Sequence, residues 1–172
     1  QDSDEQVRIY AQNILSSMLE AFEGRIKDLE GKFRANPRAA ATARRLAEQF
    51  FELVYLDVAG DEAMAAHYLA KALELLEHAC EAGPEDREIA LLGLKFALRA
   101  RHASLARVWR DRLPPDTLAA QHVLPWRMEL AFLEHDWTEM RRLFAMFLAA
   151  GHINPRIDEV IRFWHGPAGH LP

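Results

Sequence analysis

Between residues 43 and 84 the apolar positions recur with the period of an α-helix, twice over. Leu46, Phe50, Leu53, Val54 and Val58 form the first run, and Ala65, Leu69, Ala72, Leu73 and Leu76 form the second. The sequence Ala59-Gly60-Asp61 separates them and predicts a tight turn. Each run also carries apolar residues off its main stripe: Ala47, Phe51 and Tyr55 on one, Tyr68, Leu75 and Ala79 on the other. A helix that is apolar on more than one side needs neighbours on more than one side. An isolated hairpin cannot supply them, whereas a stack of hairpins can.

The same period organises the rest of the chain. Leu15, Met18, Phe22, Ile26, Leu29 and Phe33 step by three or four, and Val7, Tyr10 and Ile14 extend the stripe backwards. This predicts one long helix over residues 4–34, either a cap on the domain and a connector or a coiled-coil arm. The stripe holds fewer than four clean heptads, which favours the cap and connector. Asn36-Pro37 predicts an N-cap and first helical residue, with a helix to about Val58. Asp61 caps a helix to about Ala82. Further helices are expected from Pro84 to Arg101 and from Ser104 to Leu113, then a short one capped by Asp116. Pro125 opens a helix to about Glu134. Asp136 with Glu139 makes a capping-box pattern for the next, which Gly151 closes. Asn154-Pro155 opens a last helix to about Trp164, and residues 165–172 read as a loose tail. No segment alternates like a strand, so the chain is all-α, with stacked helical hairpins over residues 36–164.

The hairpin that begins near Pro84 carries the most informative residues. Ile89, Leu92, Gly93, Phe96, Leu105 and Trp109 follow the order large, Leu, Gly, aromatic, small, aromatic, with Leu105 in the place of the small residue and Arg112 where Ala is expected. Gly93 permits a close approach of the paired helix, and Phe96 and Trp109 fill the layers between helices. With this spacing the chain resembles a degenerate set of tetratricopeptide repeats, which implies a solenoid with a long N-terminal helix. The stretch AEQFFELVYLDVAGD before a long second helix, and HVLPWRMELAFLEHDWTEMRRLF later, resemble the cytoplasmic repeat domain of the PelE family. That resemblance implies a non-catalytic scaffold of the bacterial Pel exopolysaccharide (biofilm) machinery, cytoplasmic and tethered to the inner membrane. It also implies a PelD-like protein partner.

Composition narrows the function classes. Half of the 172 residues are hydrophobic and the net charge is −5, which disfavours a nucleic-acid partner. One cysteine, Cys80, excludes a disulfide framework. There is no bilayer-spanning apolar run, and the polar start Gln1-Asp2-Ser3-Asp4 suggests a domain excised from a longer protein. Residues 1–31 hold seven acids against three bases. Lys95, Arg99, Arg101, Arg107, Arg110 and Arg112 cluster against the single acid Asp111. Such a cluster is either internally paired or a basic patch for an acidic partner.

Candidate chemistry is sparse. Glu74 and His78 share a helix face, but His67 lies too far along that helix to join them, and two ligands do not make a metal site. Glu134, His135, Asp136 and Glu139 gather acids near a histidine, which capping already explains for Asp136 and Glu139. No phosphate loop or nucleophile elbow occurs, so neither an enzyme nor a cofactor is expected. The expected function is a protein-interaction scaffold, with an oligomerisation or structural arm through the first helix as the alternative. Lys95 and Arg99 stand one turn apart, outside the packing face of Ile89, Leu92, Gly93 and Phe96, and are the expected partner-binding residues.

Overall fold

The structure is a computed structural model that describes residues 2–56, 61–83 and 86–149. The described residues form eight helices and no strand. These are α1 (Asp2–Ala35), α2 (Ala40–Tyr55), α3 (Glu62–Ala82) and α4 (Arg87–Arg99). They continue with α5 (Ala103–Asp111), α6 (Pro115–Ala119), α7 (Leu124–Leu133) and α8 (Trp137–Ala149). Helices α2 and α3, α4 and α5, and α7 and α8 pack as consecutive pairs, while α1 lies against α2. The expected turn at Ala59-Gly60, the helix end at Val58, the helix from Pro155 and the tail lie outside the described residues.

Two turns share one construction. At the end of α4 the Arg101 N–H donates to the Leu98 carbonyl and the His102 N–H to the Ala97 carbonyl. At the end of α7 the His135 N–H donates to Phe132 and the Asp136 N–H to Ala131. These are Schellman closures whose central residue must be left-handed, and Arg101 (φ 55°) and His135 (φ 57°) take that conformation without being glycine. The next residue caps the following helix. His102 Nδ1 accepts the Leu105 N–H at 3.3 Å, and Asp136 accepts the Glu139 N–H at 3.0 Å. Every one of these paired positions differs by 34 residues. In the first pair Asp61 accepts from Met64 in the same way, 41 residues before. Seven residues amount to about two helical turns, and α3, with 21 residues, is longer than α5 with nine.

Several helix starts differ from the expected ones. Asn36 does not cap α2. Its N–H is still bonded to Lys32 of α1, and its carbonyl accepts the Ala39 N–H across a turn containing Pro37. Pro is as well suited to that turn position as to a first helical residue. Helix α4 begins at Arg87, because Asp86 accepts the N–H groups of Glu88 and Ile89. Pro84 lies outside the described residues. Asp116 does not cap α6, which starts one residue earlier after Pro114, and instead pairs with Arg87 at 3.1 Å. The Asp136–Glu139 capping box is half formed: the Glu139 carboxylate turns to Arg127 and Arg142 at 2.8 and 2.6 Å.

One core runs through α1 to α5 and reaches Leu130 of α7. Phe50 stacks on Tyr68 between α2 and α3, with ring centroids 5.6 Å apart. Phe51 stacks on Phe96 between α2 and α4, at 4.2 Å. Ile89, Phe96 and Trp109 are buried, and Leu92 is half-buried. A Cβ on Gly93 would overlap the Trp109 indole, so glycine sets the distance between α4 and α5. The buried small residue of α5 is Ala106, one place after the expected position, while Leu105 is half-buried. A second core of Leu124, Met128, Ala131, Met140, Leu143, Phe144 and Phe147 holds α7 to α8.

Trp109→Ala should destabilise the chain by about 3–5 kcal/mol in urea unfolding. Gly93→Ala should also destabilise, by about 1–3 kcal/mol, because overpacking against the indole outweighs the gain in helix propensity of about 1 kcal/mol. A stabilised Gly93→Ala variant would show that the two helices can move apart freely.

The Glu139 carboxyl is held below its ordinary range by hydrogen bonds from Arg142 and then Arg127, against the opposing effect of burial. A carboxyl with a lowered folded pKa stabilises the fold above its unfolded value, near 4.3, and that contribution fades as pH falls through the folded value. Glu139→Gln should therefore be less stable than wild type at neutral pH. The two denaturation midpoints should converge as pH drops below about 4.

Candidate functional site

The cluster of basic residues on α4 and α5 divides into two sets. Arg112 pairs with Glu77 of α3 at 2.9 Å, and Arg110 pairs with its neighbour Asp111 at 2.7 Å. Arg107 pairs with Glu134 at the end of α7, at 2.5 Å. Arg107 and Arg112 tie elements of the fold to one another, while Arg110 pairs within α5. Lys95, Arg99 and Arg101 have no carboxylate partner among the described residues. Helix phase explains the division. Arg107 and Arg112, on and just after the second helix of the pair, reach Glu134 and Glu77, and Arg110 meets its neighbour Asp111, whereas Lys95 and Arg99 project from the first helix.

Lys95 and Arg99 open onto a groove of about 260 Å³ that crosses α2, α4 and α7. Phe51 and Tyr55 of α2 form one wall, Lys95, Leu98 and Arg99 of α4 the floor, and Trp126 and Glu129 of α7 the other wall. These three helices are the first members of the three pairs. The groove exists because the Phe51–Phe96 stack sets α2 against α4. Tyr55 is 69% exposed, an unusual position for so large a ring, and it projects from the last turn of α2. The Lys95 Nζ sits 4.8 Å over the centre of the Phe51 ring, so its ammonium stays beside an aromatic face and its position is restricted. Arg99 is exposed. It also lines a second, wider groove of about 620 Å³ beside α3, where Leu69, Leu73 and Leu105 meet Arg101 and His102 at the end of α4. Arg99 thus stands where two grooves meet.

The chemistry available is that of recognition. Two cations one helical turn apart, flanked by Tyr55 and Trp126, can hold a carboxylate beside an aromatic or apolar side chain. Glu129 on the far wall gives the groove an acidic end, so an occupant would be read in one direction. The sequence pointed to Lys95 and Arg99 through their phase on α4. It did not point to Tyr55, Trp126 and Glu129 as groove residues. Tyr55 was legible only as an apolar residue off its stripe, and Trp126 only as the residue after Pro125.

The other candidate clusters resolve into structural contacts. His78 lies 6.1 Å from the Phe33 ring and 3.8 Å from the Glu81 carboxylate. Together with Glu30, Lys71 and Glu74 it lines a shallow cavity of about 420 Å³ between α1 and α3. Glu134 and Glu139 are both taken by arginines. Among the described residues no three His, Cys, Asp or Glu side chains are placed to hold a metal ion, and no helix is long and apolar enough to cross a membrane. Comparison of the chain with protein-family models, curated proteins and solved structures gives no match.

Arg99 is exposed and Lys95 half-buried, and charges open to solvent contribute little to folding, so Lys95→Glu/Arg99→Glu should unfold within about 1 kcal/mol of wild type. The loss should come from Lys95, whose contact with Phe51 is worth about 0.5–1 kcal/mol at such a site. A much larger loss in urea unfolding would mean that these cations serve the fold.

Proposed function

We propose that this chain is a non-catalytic protein-interaction scaffold that holds an acidic partner segment in the groove across α2, α4 and α7. The observation that carries the reading is the division of the basic cluster. Arg107, Arg110 and Arg112 are consumed within the fold, while Lys95 and Arg99 face an aromatic-walled groove without carboxylate partners among the described residues. The 34-residue register of the two Schellman turns matches the tetratricopeptide period and supports reading the pairs as degenerate repeats of that kind. Repeat stacks of this type bind through the helices that line one face of the stack.

The resemblance to the PelE family extends the proposal. It places the scaffold on the cytoplasmic side of the inner membrane, in a complex that makes exopolysaccharide, with a PelD-like protein as the partner. The test is titration of the chain and of Lys95→Glu/Arg99→Glu against the cytoplasmic part of PelD at low and high salt. Binding of the wild type should weaken with salt, and the variant should lose affinity about tenfold, mainly through slower association. Equal affinity and equal salt dependence in a folded variant would remove this groove from the interface. No binding of either protein would remove PelD.

A further inference from the structure

Helix α1 is 34 residues long, about 51 Å, and only its second half is covered. Phe22 is 5% exposed, and Ile26, Leu29 and Phe33 pack against the main core. The stripe continues toward the N-terminus through Val7, Tyr10, Ile14, Leu15 and Met18, yet these are 39–69% exposed. A single soluble domain rarely leaves so many large apolar side chains uncovered along one line.

We infer that this half of α1 pairs with the same half of α1 from a second copy of the chain, antiparallel. The charges along the helix select that occupant. Glu5, Glu20 and Glu23 fall on the side of the helix opposite Val7, Ile14 and Met18, so two copies can bring their stripes together without facing acids. A membrane surface is the poorer fit: interfacial helices carry Lys and Arg on their polar face, and anionic lipid would repel these acids.

The register is fixed by complementarity. Setting Ile14 against Leu15 of the second copy sets Ala11 against Met18, a small residue opposite a large one. It sets Val7 beside Phe22, where the covered stretch begins. The same register brings Asp4 to Arg25 at both ends. Arg25 lies across its own Phe22 ring at 4.4 Å and reaches Gln49 at 2.8 Å, which holds it at the edge of the seam. A parallel pair would instead put Asp4 against Asp4 and crowd both bodies at one end. The free stretch from Asp4 to Met18 spans about 22 Å, and the antiparallel arrangement leaves the two bodies at its opposite ends. The interface is isologous and closes on itself. It uses no residue of the α2–α4–α7 groove and is independent of that reading.

Sedimentation equilibrium of the 172-residue chain across the micromolar range tests the inference, with helicity followed by circular dichroism. The chain should sediment as a dimer. Ile14→Lys/Met18→Lys, at two exposed positions, should stay folded and raise the dissociation constant tenfold or more. Asp4→Arg should weaken the dimer, and Asp4→Arg/Arg25→Asp should restore it. A wild-type chain that stays monomeric overturns the inference, as does a dimer indifferent to Ile14→Lys/Met18→Lys. A charge swap that fails to restore association overturns the antiparallel register. A monomer that binds anionic phosphatidylglycerol vesicles through Ile14 and Met18 would make the stripe a lipid-facing surface instead.

Discussion

The contact on which the fold turns is between Gly93 and Trp109. The indole is wholly buried and occupies the space that a side chain on Gly93 would need. At that level the indole of α5 packs directly on the α4 backbone, with no α4 side chain between them. One turn further along the same side of α4, Phe96 stacks on Phe51, and through that stack α2 and α3 join the same core. The indole N–H has no hydrogen-bond partner among the described residues. An unsatisfied buried donor costs about 1–3 kcal/mol. The aromatic area removed from water exceeds that cost, since a large core side chain contributes several kcal/mol when buried. Arg112 covers the indole face at 4.2 Å and is itself held by Glu77. Packing and charge close over the same residue.

The third pair solves the same problem differently. Thirty-four residues after Gly93 stands Arg127, and thirty-four after Trp109 stands Leu143. The positions of a small residue and a large ring are taken by a long cation and a leucine. Arg127 threads between α6 and α8, donating to the Leu118 carbonyl at 2.9 Å and to Glu139 at 2.8 Å. A charged network thus occupies the place of an aromatic layer, and α7 with α8 carries its own separate core. Repeat units tolerate such exchanges because each needs only to match its immediate neighbours.

Helix phase was legible in the sequence because burial imposes it residue by residue. Leu46, Phe50, Leu53 and Leu76 are all buried, as their spacing requires. Caps that rest on one short side chain were legible too, at Asp61 and Asp136. Helix starts near Pro37 and Asp116 were not, since Asn-Pro and Pro-Asp serve turns as readily as caps. The left-handed residues Arg101 and His135 carried no signal, because glycine is the usual sign and neither is glycine. Nor could composition separate paired from unpaired arginines. Their partners Glu77 and Glu134 lie 27 or more residues away along the chain, and only the fold brings them within reach.

That separation matters more than the net charge. A chain of net charge −5 would repel an acidic segment if charge acted as a whole. It does not, because at physiological salt electrostatic influence fades over about 8 Å. What an incoming carboxylate meets is therefore the local set: Lys95, Arg99, and Glu129 on the opposite wall. The many acids of α1 act on another surface. Internal ion pairs on α5 also sharpen the field, since each arginine neutralised by Glu77, Asp111 or Glu134 leaves the cations of α4 as the distinct positive feature. The fold makes a directional, positively floored groove from a sequence whose charge total points the other way.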